Sequence, residues 1–310
     1  NPLRELFCII KLFWIIIKFQ PDLIQSVALK PILYTTILSK VFRKQKMIFC
    51  VVGLGYVFIS KKISSKILKF TYVSLINIFL KKMKVLFIFQ NKEDKLIFKN
   101  NKITKFAKTT IIYGSGVDTD LFKSKKTKKI YDIIFHSRIL YDKGILELIN
   151  AIKEIRKKKK ISVLILGNPD KQNRASVKVS MLEQWQSENL IIWKGKKKNV
   201  LPYLQKSKIA VLPSYREGLP KNLLEAASCE LPIVTTDVVG CKEICLNNFN
   251  GQIVPAQNYI HLSKAIAKIL KNPRLLSFYG KNGRKLVIEK FSTKIIIKKF
   301  LKVYEEFLLE

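Results

Sequence analysis

The feature that most limits the fold is an alternation of short apolar runs with helical patterns, played through twice. In the first half, strand-like runs fall at 23–27, 47–52, 84–89 and 109–113. Helical patterns cover 2–19, 31–41, 64–81 and 92–99. The run 123–129 then carries charge but no apolar residue and no periodicity, as a linker does. Beyond it the alternation restarts. Strands are expected at 131–136, 161–166, 190–193, 209–212, 232–235 and 251–254, and helices at 144–157, 177–188, 199–205, 220–229 and 259–271. A turn at Gly240, a short helix near Glu243 and a helical tail over 292–309 complete the pattern. Unbroken apolar strands separated by helices imply parallel sheets covered on both faces. The chain is therefore expected to be α/β, with a first domain over 1–123, a second over 124–291 and a final helix over 292–310.

Composition narrows the function classes. With 310 residues, 48% of them hydrophobic, the chain can bury two cores. The formal net charge of +36 comes mainly from lysine, and isoleucine and asparagine are also abundant, which is the signature of A/T-rich codons. A surface built to grip phosphates favours arginine, whose planar fork fits them. Neither arginine clustering nor a nucleic-acid-binding motif is present, which argues against a nucleic-acid module. Association with anionic lipid remains open. The five cysteines are scattered. Cys241 and Cys245 fall one helical turn apart with no further ligand nearby, so reduced thiols in a cytoplasm are expected. Two histidines exclude a His-rich metal centre. The apolar run 7–19 is interrupted by Lys11 and Lys18 and is too short to span a bilayer; core packing of one face is expected, with a membrane surface as the alternative.

The most informative stretch is Ser214-Tyr215-Arg216-Glu217-Gly218-Leu219-Pro220-Lys221-Asn222-Leu223-Leu224-Glu225. An apolar strand precedes it, and Pro220 followed by good helix formers starts a helix. Strand, tight loop and helix place Glu217 in the loop and Glu225 one turn into the helix. Both carboxylates can face one crevice at the carboxyl end of a strand, where open α/β sheets bind ligands. The amides of Gly218 and its neighbours welcome an anion. A second segment, Phe135-His136-Ser137-Arg138, leads to Lys143-Gly144 and sets two cations in another strand-to-helix loop. No Ser-His-Asp order, zinc spacing or Walker loop is visible.

Glu217 and Glu225 with Pro220 between them, the run Pro232-Ile233-Val234-Thr235-Thr236-Asp237 with Gly240 and Glu243, and Arg138 with Lys143-Gly144 together resemble the retaining glycosyltransferases of family 4, which have the GT-B fold. The resemblance is strong over 109–255 and diffuse before it. It implies two Rossmann-like domains facing across a cleft and a last helix that crosses back to the first. It also implies transfer of a sugar, with retention and without metal or other cofactor, from a nucleotide diphosphate donor, in the first instance a UDP-sugar. By position, Arg138 and Lys143 would neutralise the leaving diphosphate and Glu217 would face the sugar. Glu225 would take the ribose hydroxyls. Gly218 and Leu219 would hold sugar or phosphate by their amides, and Gly167, Gly195 and Lys196 would line the nucleotide pocket, where a side chain at 167 would obstruct the nucleotide. His136 either reaches the phosphates or packs locally. Relatives of this look act on lipid-linked or surface polysaccharide precursors. A cytoplasmic chain, peripheral at the inner face of the membrane, follows as an expectation. Gly53-Leu54-Gly55-Tyr56 and residues 61–68 are acceptor-side candidates.

Three points stand apart. Asp118-x-Asp120 matches a metal-binding motif of other glycosyltransferases, whereas the resemblance makes Asp118 a structural residue at the domain junction. Family members begin with a strand and a Gly-rich loop, and the sequence opens at Asn1 without them. A truncated start and an open apolar sheet edge are thus expected. A sugar-nucleotide epimerase on the same fold is the rival enzyme, against which the paired glutamates and the tail helix argue.

Overall fold

The computed structural model describes residues 2–59, 62–81, 83–170 and 172–309. The chain forms two compact units, one of Asn1–Gly114 with Lys298–Glu310, the other of Ser115–Ile297.

In the first unit, α1 (Pro2–Phe19) leads to β1 (Leu23–Val27), α2 (Leu29–Leu38), β2 (Lys46–Val51), α3 (Gly55–Ile59), α4 (Ile63–Leu80), β3 (Val85–Phe89), α5 (Lys92–Asn100) and β4 (Lys108–Ile111). The four strands are parallel in the order β1-β2-β3-β4. Each crossover contains a helix because a parallel return needs a long connection. Every residue of β3, and all of β2 but Lys46, is buried, since helices cover both faces. One face packs aromatically: Phe49 meets Phe87 at 5.2 Å and Phe89 meets Phe98 of α5 at 5.1 Å. Burial of each such ring stabilises by about 1.5–3 kcal/mol. Asn91 caps α5, accepting from Asp94 N at 2.7 Å. Helix α1 sends Ile9, Leu12, Phe13 and Ile16 to this core, while Leu3, Phe7, Trp14 and Phe19 stay exposed. One face of 7–19 thus packs on the core, as expected, and the other is exposed. Among the described residues α4 is the one helix long and apolar enough to cross a membrane; Tyr72, Ile76 and Leu80 fix its inner face in the core.

The second unit contains β5 (Tyr131–His136), a 3-10 turn (Tyr141–Lys143), α6 (Ile145–Arg156), β6 (Val163–Leu166), α7 (Val179–Ser187), β7 (Ile192–Trp193), α8 (Leu201–Gln205), β8 (Ser207–Leu212), α9 (Lys221–Ser228), β9 (Ile233–Thr236), α10 (Cys241–Ile244), β10 (Gly251–Val254), α11 (Tyr259–Leu270) and α12 (Pro273–Lys290). Helix α13 (Thr293–Leu309) starts here, and its residues from 298 cluster with the first unit. The six strands are parallel in the order β10-β9-β8-β5-β6-β7. From β5 the chain builds outward through β6 and β7, then returns to place β8 on the other side of β5. This reversal leaves a crevice between the carboxyl ends of β5 and β8.

The charged run 123–129 lies within the second unit. The segment before it is also tied there: Val117 N donates to Phe291 O at 3.0 Å, and Arg284 Nη1 donates to Phe122 O at 3.1 Å. Helix α12 was not evident from the sequence. Gly280 and Gly283 interrupt its apolar pattern, yet a Cβ on Gly280 would stand 2.3 Å from Glu230 O, so glycine is what lets α12 close on the end of α9.

Candidate active site

The loops after β5 and β8 meet over the crevice, and glycine decides how closely. Gly144 is left-handed (φ +73°), and a Cβ there would lie 2.0 Å from Pro213 O. The loops are then laced together. Tyr215 N donates to Asp142 O at 2.9 Å, and Ser214 Oγ donates to the same carbonyl at 3.0 Å. Tyr215 Oη donates to Glu147 Oε1 at 2.7 Å. Burial and that carboxylate together push the Tyr215 phenol up. Lys143 Nζ donates to Glu217 Oε1 at 2.5 Å, and both side chains are mostly buried. Behind them, Gly240 would meet Gly218 O at 2.5 Å if it carried a Cβ, so the Glu217-Gly218 turn rests directly on backbone.

A cavity of about 540 Å³ lies between the end of β5 and the start of α9. Arg138, Gly167, Lys196, Glu225, His136 and Asn222 are among its walls. Arg138 Nη1 donates to Asp170 Oδ2 at 3.0 Å, so the cation is held over the opening by an acid from the loop after β6. Glu225 projects from α9, and His136 Nε2 lies 3.4 Å from its Oε2. Asn222 Nδ2 donates to His136 O at 2.7 Å and fixes the start of α9 to the end of β5. Gly167 N donates to Gly195 O at 2.9 Å, Trp193 Nε1 donates to Gly167 O at 2.8 Å, and Lys196 N donates to Asn168 Oδ1 at 3.0 Å.

The cavity therefore gathers Arg138, Gly167, Lys196 and Glu225, and Gly195 backs Gly167; Lys143, Glu217, Gly218 and Leu219 are not among its walls and sit instead in and around the Lys143–Glu217 brace. A side chain at Gly167 (φ +137°) would strike Ser137 O, 1.8 Å from its Cβ, so the glycine is also required by the packing of two loops. Sequence reasoning missed Asp170, Asn222, Glu147 and the role of Tyr215. Each finds its partner 32 or more residues away, beyond any local spacing signal.

Asp118 Oδ1 accepts from Asp120 N and Leu121 N, both at 3.0 Å, and Asp120 pairs with Lys294 at 2.8 Å. Lys294 holds the Asp120 carboxyl below its ordinary range. Asp118 closes a turn, and Asp120 reaches the exposed Lys294 at the start of α13. All five cysteines are free, and Cys8 alone among them is exposed. Of the acceptor-side candidates, Gly53 and Gly55 flank the buried Leu54 at the carboxyl end of β2; Lys61 lies outside the described residues.

The family model described as glycosyl transferases group 1 matches residues 117–286, more than half of the chain and the whole of the crevice just described. The chain belongs to this family. As a glycosyltransferase it is 27% identical to the N,N'-diacetylbacillosaminyl-diphospho-undecaprenol alpha-1,3-N-acetylgalactosaminyltransferase of Campylobacter jejuni, over 96% of this chain and 82% of that protein. It is likewise 27% identical to the capsular polysaccharide biosynthesis glycosyltransferase CapM of Staphylococcus aureus, over 99% of this chain and 82% of CapM. Sucrose-phosphate synthase from Thermosynechococcus elongatus superposes with a TM-score of 0.81 at 20% identity, covering 96% of this chain and 76% of that one. Anabaena HepE, solved with UDP-glucose, superposes with a TM-score of 0.79 at 16% identity over 96% and 82%. The two parallel-sheet units are those of the GT-B fold.

Proposed function

We propose that this glycosyltransferase moves a sugar from a UDP-sugar to a lipid-linked or surface polysaccharide acceptor, with retention and without a metal ion. The observation that carries the proposal is the convergence at the β5/β8 reversal: a recessed carboxylate, Glu225, shares a cavity with the Arg138 cation, and the Lys143–Glu217 pair joins the loops that follow the same two strands. A carboxylate accepts two hydroxyls at once, which suits the ribose diol. Arg138 and Lys143 offset the charge that grows on the diphosphate as the bond from the sugar carbon to the phosphate oxygen breaks. The new carbon–oxygen bond forms on the same face, and the departing phosphate oxygen takes the acceptor hydroxyl's proton. Such a step needs no strong protein base. Asp118 and Asp120, already engaged by backbone and by Lys294, leave leaving-group neutralisation to the cations.

The donor class is supported by relatives of the same fold solved with UDP and UDP-glucose, and the acceptor class by the lipid diphosphate and capsule relatives. Membrane contact belongs to the same proposal. On α4 the exposed Ile63, Ile67 and Phe70 alternate with Lys66 and Lys69, a mixture that suits an anionic interface. The test is release of UDP from a panel of UDP-sugars, with and without membrane lipid extract, in EDTA. The proposal expects lipid-dependent turnover of at least one UDP-sugar that EDTA leaves unchanged. A strict Mg²⁺ requirement contradicts the metal-free step, and binding of no uridine nucleotide contradicts the donor class.

A further inference from the structure

His136 is the last residue of β5 and is 8% exposed. Its backbone carbonyl is fixed by Asn222, and its ring stands in the cavity wall. A histidine packed only for structure satisfies its buried nitrogens locally. Here Nε2 is buried without a hydrogen-bond partner, and what it faces is Glu225 Oε2 at 3.4 Å. Glu225 is in the complementary position. Its side chain is 15% exposed, and among the described residues no other side chain donates to it. A mostly buried carboxylate is held to one rotamer by a donor, and His136 is the side chain placed to supply it. At 3.4 Å the two groups sit just outside hydrogen-bond range, and contacts of this kind commonly tighten when the ligand arrives.

We infer that His136 is the positioning residue for Glu225: its Nε2–H holds one carboxylate oxygen so that the other is presented to the nucleoside hydroxyls. The inference rests on the donor reading given above. It assigns His136 a role in gripping the nucleoside and none in the transfer step or at the phosphates. The Nε2 tautomer follows from geometry, since an unprotonated Nε2 would oppose a lone pair to a carboxylate.

The two amide residues separate the ring nitrogens. In His136→Gln the amide nitrogen takes the place of Nε2, whereas in His136→Asn it stops near the place of Nδ1. Affinities for UDP and for uridine, measured by ligand-observed NMR competition, read the effect, with thermal melting as a control. His136→Asn is expected to weaken UDP and uridine alike, by about ten-fold each, and to raise the donor KM with kcat little changed. His136→Gln is expected to stay within about two-fold of the wild type. In a Glu225→Ala background, His136→Asn should cost nothing further. Wild-type affinity in His136→Asn overturns the inference, and so does loss of UDP with uridine unaffected, which would place the ring at the phosphates. A Gln variant as weak as the Asn variant at equal melting temperature overturns it as well. A wild-type chain that binds neither ligand overturns the donor reading itself.

Discussion

Lys143 Nζ and Glu217 Oε1 lie 2.5 Å apart, a lysine and a glutamate 74 residues distant in the chain and both largely out of water. The pair joins the two strand-to-helix loops that the family match spans. In the ligand-free chain each charge is the other's counter-ion. On the proposed function, a diphosphate entering the site would recruit a lysine already ordered and leave Glu217 for the sugar.

Removing one partner leaves a buried charge uncompensated, which costs about 3–5 kcal/mol. Lys143→Met should therefore lower both the melting temperature and kcat. The double variant Lys143→Met/Glu217→Gln should recover most of the stability while transfer stays down by at least about 10–100-fold, since the lysine contact to the leaving group is lost and the carboxylate facing the sugar with it. Melting curves alongside UDP-release rates check this.

Arg138 is 61% exposed and its partner Asp170 33%, so this pair stabilises little, about 0–1 kcal/mol. Asp170→Asn should leave the melting temperature alone and tighten UDP by about two- to three-fold, because the guanidinium is released to the diphosphate. Arg138→Lys should weaken UDP despite keeping its charge, since the planar fork is lost. Calorimetric titration with UDP decides both.

Gly144 and Gly167 combine positive φ with a Cβ position under 2.5 Å from a carbonyl oxygen. Alanine at either site has to move a neighbouring loop, and should destabilise by more than about 1 kcal/mol. Gly55→Ala, also at positive φ but with its nearest contact 4.0 Å away, should cost less. Chemical denaturation of the three variants ranks them.

Burial pushes the Cys229 and Cys241 thiols up to about 12 from 9.0. The unfolded chain then loses thiol protons that the folded chain keeps, so this contribution is whole below pH 9.0 and falls away as pH rises toward about 12. At pH 8 a thiol reagent should label Cys8 quickly, the four buried cysteines only after unfolding, and the pH profile of the denaturation midpoint should slope downward above pH 9.0.

The strand–helix alternation was legible because parallel strands such as β2 and β3 are buried on both faces and read as unbroken apolar runs. The placement of Glu225 and Arg138 was legible because motif spacing sets Arg138 just past the end of β5 and Glu225 one turn into α9. What escaped depends on tertiary approach. Gly280 looks like a helix breaker until Glu230 O is seen 2.3 Å from its Cβ, and α12 vanished with it. The Tyr215–Glu147 and Arg138–Asp170 contacts join separate loops, and the sequence holds no local record of them. His136 could not be placed because its partner, Glu225, lies three strands further along the chain, in α9.

The central claim is that the crevice between β5 and β8 holds the nucleotide diphosphate. A structure of the chain with UDP bound measures this most directly. The account predicts the ribose on Glu225, the diphosphate between Arg138 and Lys143, and the Arg138–Asp170 contact opened. Nucleotide elsewhere, or nucleotide in the cavity with Glu225 turned away and both cations still on their carboxylates, would contradict it.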